Sequence, residues 1–422
     1  MTSEKRKLKN GAATCNKNSA ESISSPVTRH SSLNLGDDSH LSIYIHIPYC
    51  LKKCPYCNFN SYPITRGENI PDEYIEALIA ELKMQTDRYL LEKKRLKSIY
   101  FGGGTPSLLN IHQVEKIINS IKLLFNIKDL EKLEVTLEVN PGTASPEKLS
   151  KFHEVGINRL IIGVQSFKER DLKILGRIHR VKEAAQLLEN LELSNFKNFG
   201  IDLIFGIPKQ SLSDWLYNLK TAVSFKPKHI SAYNLTIEGD TPFSFLASAN
   251  KWKFPSENLE FKMFLLGSEY LKKLGYRHYE ISNFAKRGFE SVHNKNYWKR
   301  GSYIGAGAGA HSFIKEQKLR FSNIKDPVKY ISMISRGDSS INFQEIVDGK
   351  KEFTEKILLS LRMDKSIKFE EIRLGRKNKE VLGFFDKCEN HGYLKRTKDG
   401  FHLTTKGYFV SNEIIAKLSA FI

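Results

Sequence analysis

The sequence predicts an α/β protein: a partial (β/α)6 TIM-like barrel followed by a small winged-helix-like α+β unit at the C-terminal end. Two observations carry this expectation. Six short apolar, β-branched runs at 41–47, 98–101, 133–139, 159–165, 199–205 and 229–235 are each bounded by Gly, Pro or Asn. Between them lie segments with apolar residues at helical spacing, and strands joined by helical crossovers pair in parallel because parallel neighbours need long connections. In such barrels ligands sit at the C-terminal ends of the strands, where the polar and glycine-rich segments of this chain fall.

Taken in order, residues 1–40 are rich in Ser, Asn, Lys and Thr, have few periodic apolar positions, and are expected to form a disordered extension. They lack a signal peptide's apolar centre, and Glu4, Glu21, Asp37 and Asp38 are acidic for a transit peptide. The first strand leads into Cys50-Leu51-Lys52-Lys53-Cys54-Pro55-Tyr56-Cys57. This C-x3-C-x2-C spacing supplies three thiolates where a cubane iron–sulfur cluster takes four, which leaves one iron open. A structural zinc site would need a fourth Cys or His, absent at the usual spacing after Cys57, and an odd trio cannot pair as disulfides.

The first crossover helix begins at Asp72, which can cap it, and Tyr74, Ile75, Leu78, Ile79 and Leu82 share one face. The second strand runs into Gly102-Gly103-Gly104-Thr105-Pro106, either an ordinary turn or a loop that a ligand can approach closely. Glu138 ends the third strand before Asn140-Pro141-Gly142, Gln165 ends the fourth, Arg177 follows in Leu175-Gly176-Arg177, and Asp202 lies in the fifth. A lone carboxylate at a strand end is more often a cap or ion-pair partner, but several polar groups at one barrel mouth mark a site.

Beyond the barrel, expected over 41–275, an extension over 276–345 carries His293-Asn294-Lys295-Asn296-Tyr297-Trp298 and Tyr303-Ile304-Gly305-Ala306-Gly307-Ala308-Gly309-Ala310-His311. A neutral imidazole at His293 can ligate heme iron with Tyr297 and Trp298 against the macrocycle; on chemistry alone, a loop-capping His with core aromatics fits as well. The glycine run lacks the strand-turn-helix context and the downstream acid of a dinucleotide site and reads as close backbone packing or approach to a cofactor, with His311 a weaker ligand candidate. Over 346–422, helical stripes at Phe353, Ile357, Leu358, Leu361 and at Val381, Leu382, Phe385, Cys388 precede a hairpin signal at Lys398-Asp399-Gly400.

Composition narrows the class. The 422 residues can bury one large core plus one or two small ones. Five cysteines, with Cys15 and Cys388 isolated, make no disulfide framework and point to a reducing compartment, the cytoplasm. No apolar stretch approaches the roughly 18 residues of a membrane span. The formal charge of +19 is spread along the chain, so a solvated surface is expected rather than a nucleic-acid footprint.

Tyr44-x-His46-Ile47-Pro48-x-Cys50, the cysteine triad, Gly102-Gly103-Gly104-Thr105-Pro106-Ser107, Gly163-Val164-Gln165-Ser166-Phe167, Leu175-Gly176-Arg177-Ile178-His179 and Asp202-Leu203-Ile204-Phe205-Gly206-Ile207-Pro208 together resemble the HemN/HemW group of radical S-adenosylmethionine (SAM) proteins, over about residues 41–422. The resemblance implies a radical SAM barrel with a [4Fe-4S] cluster on Cys50, Cys54 and Cys57. SAM would bind the open iron, with Tyr44, Tyr56, Gly103, Gly104, Thr105, Glu138, Gln165, Arg177 and Asp202 lining its site. The group holds heme chaperones and an oxygen-independent coproporphyrinogen III dehydrogenase. The dehydrogenase has a further Cys two residues after the triad, where this chain has Phe59, and 293–298 is similar to the heme-associated HNxxYW signature of the chaperones. The resemblance thus implies heme at His293, Tyr297 and Trp298 and an unidentified heme-accepting protein, with a membrane protein among the conceivable transient acceptors. The alternative is porphyrinogen decarboxylation through a SAM-derived radical. The spread of charge leads to no expected nucleic-acid partner, and the chain is expected to be a monomer or dimer.

Overall fold

The structure, a computed structural model, describes residues 40–421 except 195, 240, 250–251, 369–377 and 399. The extension expected over 1–40, with Cys15, lies outside the described residues apart from His40, as does Asp399 at the expected hairpin tip.

β1 (His40–Ile47) runs into a short β2 (Tyr49–Cys50) that pairs with β3 (Tyr62–Pro63), and α1 (Asp72–Tyr89) returns the chain to β4 (Arg95–Gly103). The alternation continues through α2 (Ile111–Leu124), β5 (Glu134–Val139), α3 (Pro146–Glu154), β6 (Arg159–Gln165), α4 (Glu169–Ile174), α5 (Val181–Asn190), β7 (Phe199–Phe205), α6 (Leu212–Ser224) and β8 (His229–Asn234). All six expected strands form and pair in parallel in chain order.

Period-two alternation explains the layering. Ile43, Ile45, Ile99, Phe101, Val135, Leu137, Leu160, Ile162, Ile201 and Leu203 are fully buried in one core with Tyr74 and Leu78 of α1 and Val114 and Ile117 of α2. The interleaved positions, Tyr44, Tyr100, Glu138, Arg159, Asp202 and His229, are polar and point to the opposite face, the concave side of the barrel. Burying one aliphatic side chain contributes about 1.5–3 kcal/mol, so this stripe fixes both the register and the facing of the polar residues.

The segment 276–345 is woven into the same sheet. After α7 (Pro242–Ser248) and α8 (Glu257–Lys273), β9 (Arg277–His278) and β10 (Asn283–Ala285) add antiparallel to β8. Then α9 (Val292–Trp298) carries the chain to the other end, where β11 (Tyr303–Ala306) pairs parallel with β1 and is followed by β12 (His311–Ile314), β13 (Leu319–Asn323), α10 (Pro327–Ser335) and β14 (Ile341–Ile346). The sheet order is β14-β13-β12-β11-β1-β4-β5-β6-β7-β8-β10-β9.

The glycine run is therefore a packing device. A Cβ at Gly305 would lie 2.2 Å from the His311 carbonyl oxygen, and one at Gly307, where φ is +108°, would lie 2.5 Å from the His46 carbonyl oxygen. The amides this brings inward are satisfied by α1: Gly307 N–H donates to Glu81 at 2.8 Å and Ala308 N–H to the Tyr74 hydroxyl at 2.9 Å. Glu81, 2 % exposed, also accepts from Tyr330, Asn323 and Gln85 at 2.5 Å each and from Ser340 at 3.2 Å.

Two local expectations are corrected. Asp72 does not cap α1; Pro71 holds the N-cap position, and the Asp72 carboxylate accepts from Gln113 at 2.7 Å. In the C-terminal unit Leu382 leaves the stripe of Val381, Phe385 and Cys388 and is 44 % exposed. That unit comprises α11 (Gly349–Leu361), β15 (Ile367–Lys368), α12 (Asn378–Asn390), β16 (Leu394–Arg396), β17 (Gly400–Leu403), α13 (Thr405–Phe409) and α14 (Ser411–Phe421), with a three-stranded antiparallel sheet in the order β15-β17-β16. No helix among the described residues is long and apolar enough to cross a membrane.

Candidate functional site

The C-terminal ends of β4 to β8 open into a cavity of about 520 Å³ lined by Cys50, Cys54, Cys57, Tyr56, Gly103, Gly104, Thr105, Glu138, Gln165, Arg177 and Asp202. The cysteine loop is pinned by backbone bonds. Cys57 N–H donates to the Cys54 carbonyl at 3.0 Å, Ile64 N–H to that of Cys50 at 2.9 Å, and Gly104 N–H to that of Ile47 at 2.8 Å. A Cβ at Gly104 would stand 2.5 Å from the Tyr49 carbonyl oxygen, so the glycine loop lies against the cysteine-bearing strand. None of the three thiols is in a disulfide, and burial pushes those of Cys50 and Cys57 above the usual thiol range. Among the described residues no three His, Cys, Asp or Glu side chains converge tightly enough for one metal ion. Three thiols on one cavity wall with no fourth Cys or His among its lining residues except His229 on β8 suit a four-iron cube with one open iron better than a closed tetrahedral zinc site.

Opposite the thiols lies a polar wall. Tyr100 donates to Glu138 at 2.8 Å, and Gly103 N–H reaches the other carboxylate oxygen at 3.3 Å. Burial pushes Glu138 up to about 7, with the nearby Asp202 adding to the rise. Burial likewise raises Asp202 to about 6 against the pull of Ser231, Arg159 and Arg177. Arg177 donates to Asn140 at 2.5 Å and to the Gly163 carbonyl at 2.9 Å, with its other Nη 3.8 Å from Cys54 Sγ. Among the described residues Arg177 Nε and Asp202 Oδ1 are buried without a hydrogen-bond partner. Orphaned polar atoms on a cavity wall are the mark of a ligand's contacts. Gln165, at φ +69°, holds a left-handed backbone that a non-glycine residue adopts at a cost of about 1–3 kcal/mol, and it ends β6 at the cavity.

Tyr44 is the exception among the residues expected at SAM. It faces a neighbouring cleft, bonded to His46 Nδ1 at 3.0 Å and stacked on Tyr100 at 6.2 Å. His293 also lies outside the cluster cavity. The ring is 1 % exposed, with Nδ1 2.9 Å from Ser98 Oγ and Nε2 2.8 Å from the Tyr297 hydroxyl. Ser98 donates onward to Ser42 at 2.8 Å, so Nδ1 carries the proton and Nε2 accepts from Tyr297; both nitrogens are engaged within the fold. Burial lowers the His293 pKa to about 3 and keeps the ring neutral. Trp298 lies beneath the Arg362 guanidinium at 5.8 Å. Several wall residues were not singled out from sequence: Tyr100, Asn140, Arg159, His229, Ser231 and Tyr233. Their signal was available, since all but Asn140 occupy the polar half of the strand alternation.

The radical SAM superfamily profile matches residues 44–222, from β1 through α6. A protein named heme chaperone HemW from Haemophilus influenzae is 34 % identical over 383 residues, covering 89 % of this chain and 97 % of its own length. The HemW of Escherichia coli K12 is 34 % identical over 381 residues, with the same shares covered. The chain belongs to the HemW family of radical SAM proteins. The HemW-family match reaches well past the superfamily profile, whose span ends before α9 and β11 to β14. A solved structure of Escherichia coli coproporphyrinogen III oxidase, HemN, superposes with a TM-score of 0.76 at 22 % identity over 90 % of both chains. HemW-family members and HemN thus share an architecture.

Proposed function

We propose that the protein is a heme chaperone that binds heme and passes it to acceptor proteins, and that it carries a [4Fe-4S] cluster on Cys50, Cys54 and Cys57 with SAM at the open iron. The observation that supports this most is the near-complete overlap, at 34 % identity, with relatives named heme chaperones. Phe59, at the position where the dehydrogenase branch resembling this chain carries another Cys, agrees with it. The protein is taken to act in the cytoplasm, where its thiols stay reduced, as a monomer or dimer meeting its acceptor transiently.

The residues fit both cofactors. When bound, cluster and SAM supply one-electron cleavage chemistry. The chain's own groups hold them: the three thiols take the irons, Glu138 and Asp202 balance SAM's positive charges, and Arg177 offers donors to its carboxylate. Gly103 and Gly104 leave backbone at the cavity wall.

The carboxylates make SAM binding pH-dependent, with a definite sign. Burial raises Glu138 to about 7 and Asp202 to about 6, so below pH 6 both are mostly protonated and a cationic ligand gains less from them. Above pH 7 both are mostly charged. SAM affinity of the cluster-loaded protein, measured by calorimetry, is therefore expected to rise by about tenfold or more between pH 5.5 and 7.5. Asp202→Asn should cost about 1.5–3 kcal/mol at pH 7.5, flatten the lower part of the rise and leave iron content unchanged. Equal affinity at both pH values would remove the pair from the site.

The function itself is tested by giving the anaerobically reconstituted protein heme or, separately, coproporphyrinogen III with SAM and reductant. Stoichiometric heme binding and transfer without decarboxylation is expected; decarboxylation without heme binding would make the protein a dehydrogenase.

A further inference from the structure

We propose that heme is held in a second cleft beside the cluster cavity, with His311 as its axial ligand, Phe59 against the macrocycle and Lys325 at its propionates. This deepens the heme-chaperone reading and rests on it. The cleft has a volume of about 860 Å³ and is lined by His311, Phe59, Tyr297, Tyr303, Arg320 and Lys325 among others. That lies within the roughly 300–1,000 Å³ of pockets that enclose ligands of this size.

Three histidines lie in or near this cleft, and their bonding separates them. His293 has both nitrogens engaged, as described. His46 is 5 % exposed, with Nδ1 3.0 Å from the Tyr44 hydroxyl and Nε2 2.9 Å from the Asn60 carbonyl oxygen. His311, at the start of β12, is exposed to the cleft, and among the described residues neither of its nitrogens has a hydrogen-bond partner. Burial, Arg320 and Lys325 all lower its pKa, which favours the neutral ring that ligates iron.

The rest of the wall has heme's own division of character. Phe59 is 67 % exposed, an unusual state for an aromatic side chain, and with Tyr297 and Tyr303 it offers ring faces to a flat apolar ligand. Arg320 is ion-paired with Glu345 at 3.2 Å and with Glu355. Lys325 is exposed, and among the described residues it has no ion-pair partner, so it is the cation available to a propionate. The site is built into the fold: the Asn60 amide donates to the carbonyls of Ala308 at 2.8 Å and Lys325 at 2.9 Å, tying the cysteine loop to the loop before β12 and to the end of β13. Lys53, Asn58 and Phe59 line both cavities, so the cluster loop is their shared wall.

The experiment titrates hemin into the full chain carrying its cluster and reads the Soret band, comparing wild type with His311→Ala, His293→Ala and Lys325→Glu. Loss of an outer partner already costs a metal site about 10- to 100-fold, so His311→Ala should shift the Soret band and weaken binding at least that much, with the spectrum restored by added imidazole. Lys325→Glu should weaken binding without moving the band. His293→Ala should melt at a lower temperature and keep the wild-type band. Cluster content and SAM binding equal to wild type show that His311→Ala is folded; should it fail to fold, a wild-type affinity in Lys325→Glu and in Phe59→Ala overturns the site. A wild-type band and affinity in His311→Ala, or loss of the band in His293→Ala alone, overturns it while leaving the chaperone reading intact. A wild-type protein that binds no heme overturns both.

Discussion

Each of the single replacements Cys50→Ala, Cys54→Ala and Cys57→Ala is expected to abolish the brown chromophore of the reconstituted protein, together with its iron and sulfide. The proposed cube would have one corner without a protein ligand, so losing one of the three thiolates would leave two of four irons unheld. Among the described residues there is no substitute, because Cys388, itself free, lies in the C-terminal core among Val381 and Phe385. SAM affinity should fall with the cluster, since the open iron is proposed to be its main anchor. Cys388→Ala serves as the control: it should lower the melting temperature through the cavity left behind and retain full iron. Full retention of iron and sulfide in all three single variants would sink the assignment.

Glu81→Ala is expected to cost about 3–5 kcal/mol of stability, read as a loss of several degrees in melting temperature. Five donors from α1, the glycine run, β13, α10 and the start of β14 converge on this one buried carboxylate. Removing it leaves Tyr330, Asn323, Ser340, Gln85 and the Gly307 amide facing one another in a site that excludes water, at about 1–3 kcal/mol for each left unsatisfied. Glu81→Gln should recover little, because its NH2 group adds a sixth donor where acceptors are wanted. Melting curves of either variant that overlay wild type would show the network to be incidental.

The barrel was legible because its strands are β-branched and bounded by turn residues, so hydrophobic burial and local preference agree. β11 was not: Tyr303 and Ile304 favour a strand, but Gly305 and Ala306 do not, and a small residue is required at Gly305 only because β12 approaches there. Glu81 escaped notice for a related reason. Between Leu78 and Leu82 a charged residue reads as the solvent side of a helix, and four of its five donors, Gly307, Asn323, Tyr330 and Ser340, lie more than 200 residues away in sequence. At the site, the spacing of Cys50, Cys54 and Cys57 and the strand-end positions of Glu138 and Asp202 were legible, and the cavity brings these residues together. The surroundings of His293 were not legible, because a sequence shows that an imidazole can ligate iron and not that Ser98 and Tyr297 hold both its nitrogens.

The order of strands in the sheet also bears on how the chain is made. β1, which delivers the cysteine loop, is flanked by β4 and by β11, yet Ile47 and Tyr303 lie far apart in sequence. At a synthesis rate of roughly 5–20 residues per second, β1 waits about a quarter of a minute to a minute for its second neighbour to leave the ribosome. During that interval the strand has an open edge of unpaired amides and carbonyls beside an apolar face, the kind of surface that recruits another chain. The late strand thus shields the nascent protein from aggregation, and mutations that slow its docking should reduce the yield of soluble protein before they alter any property of the finished one.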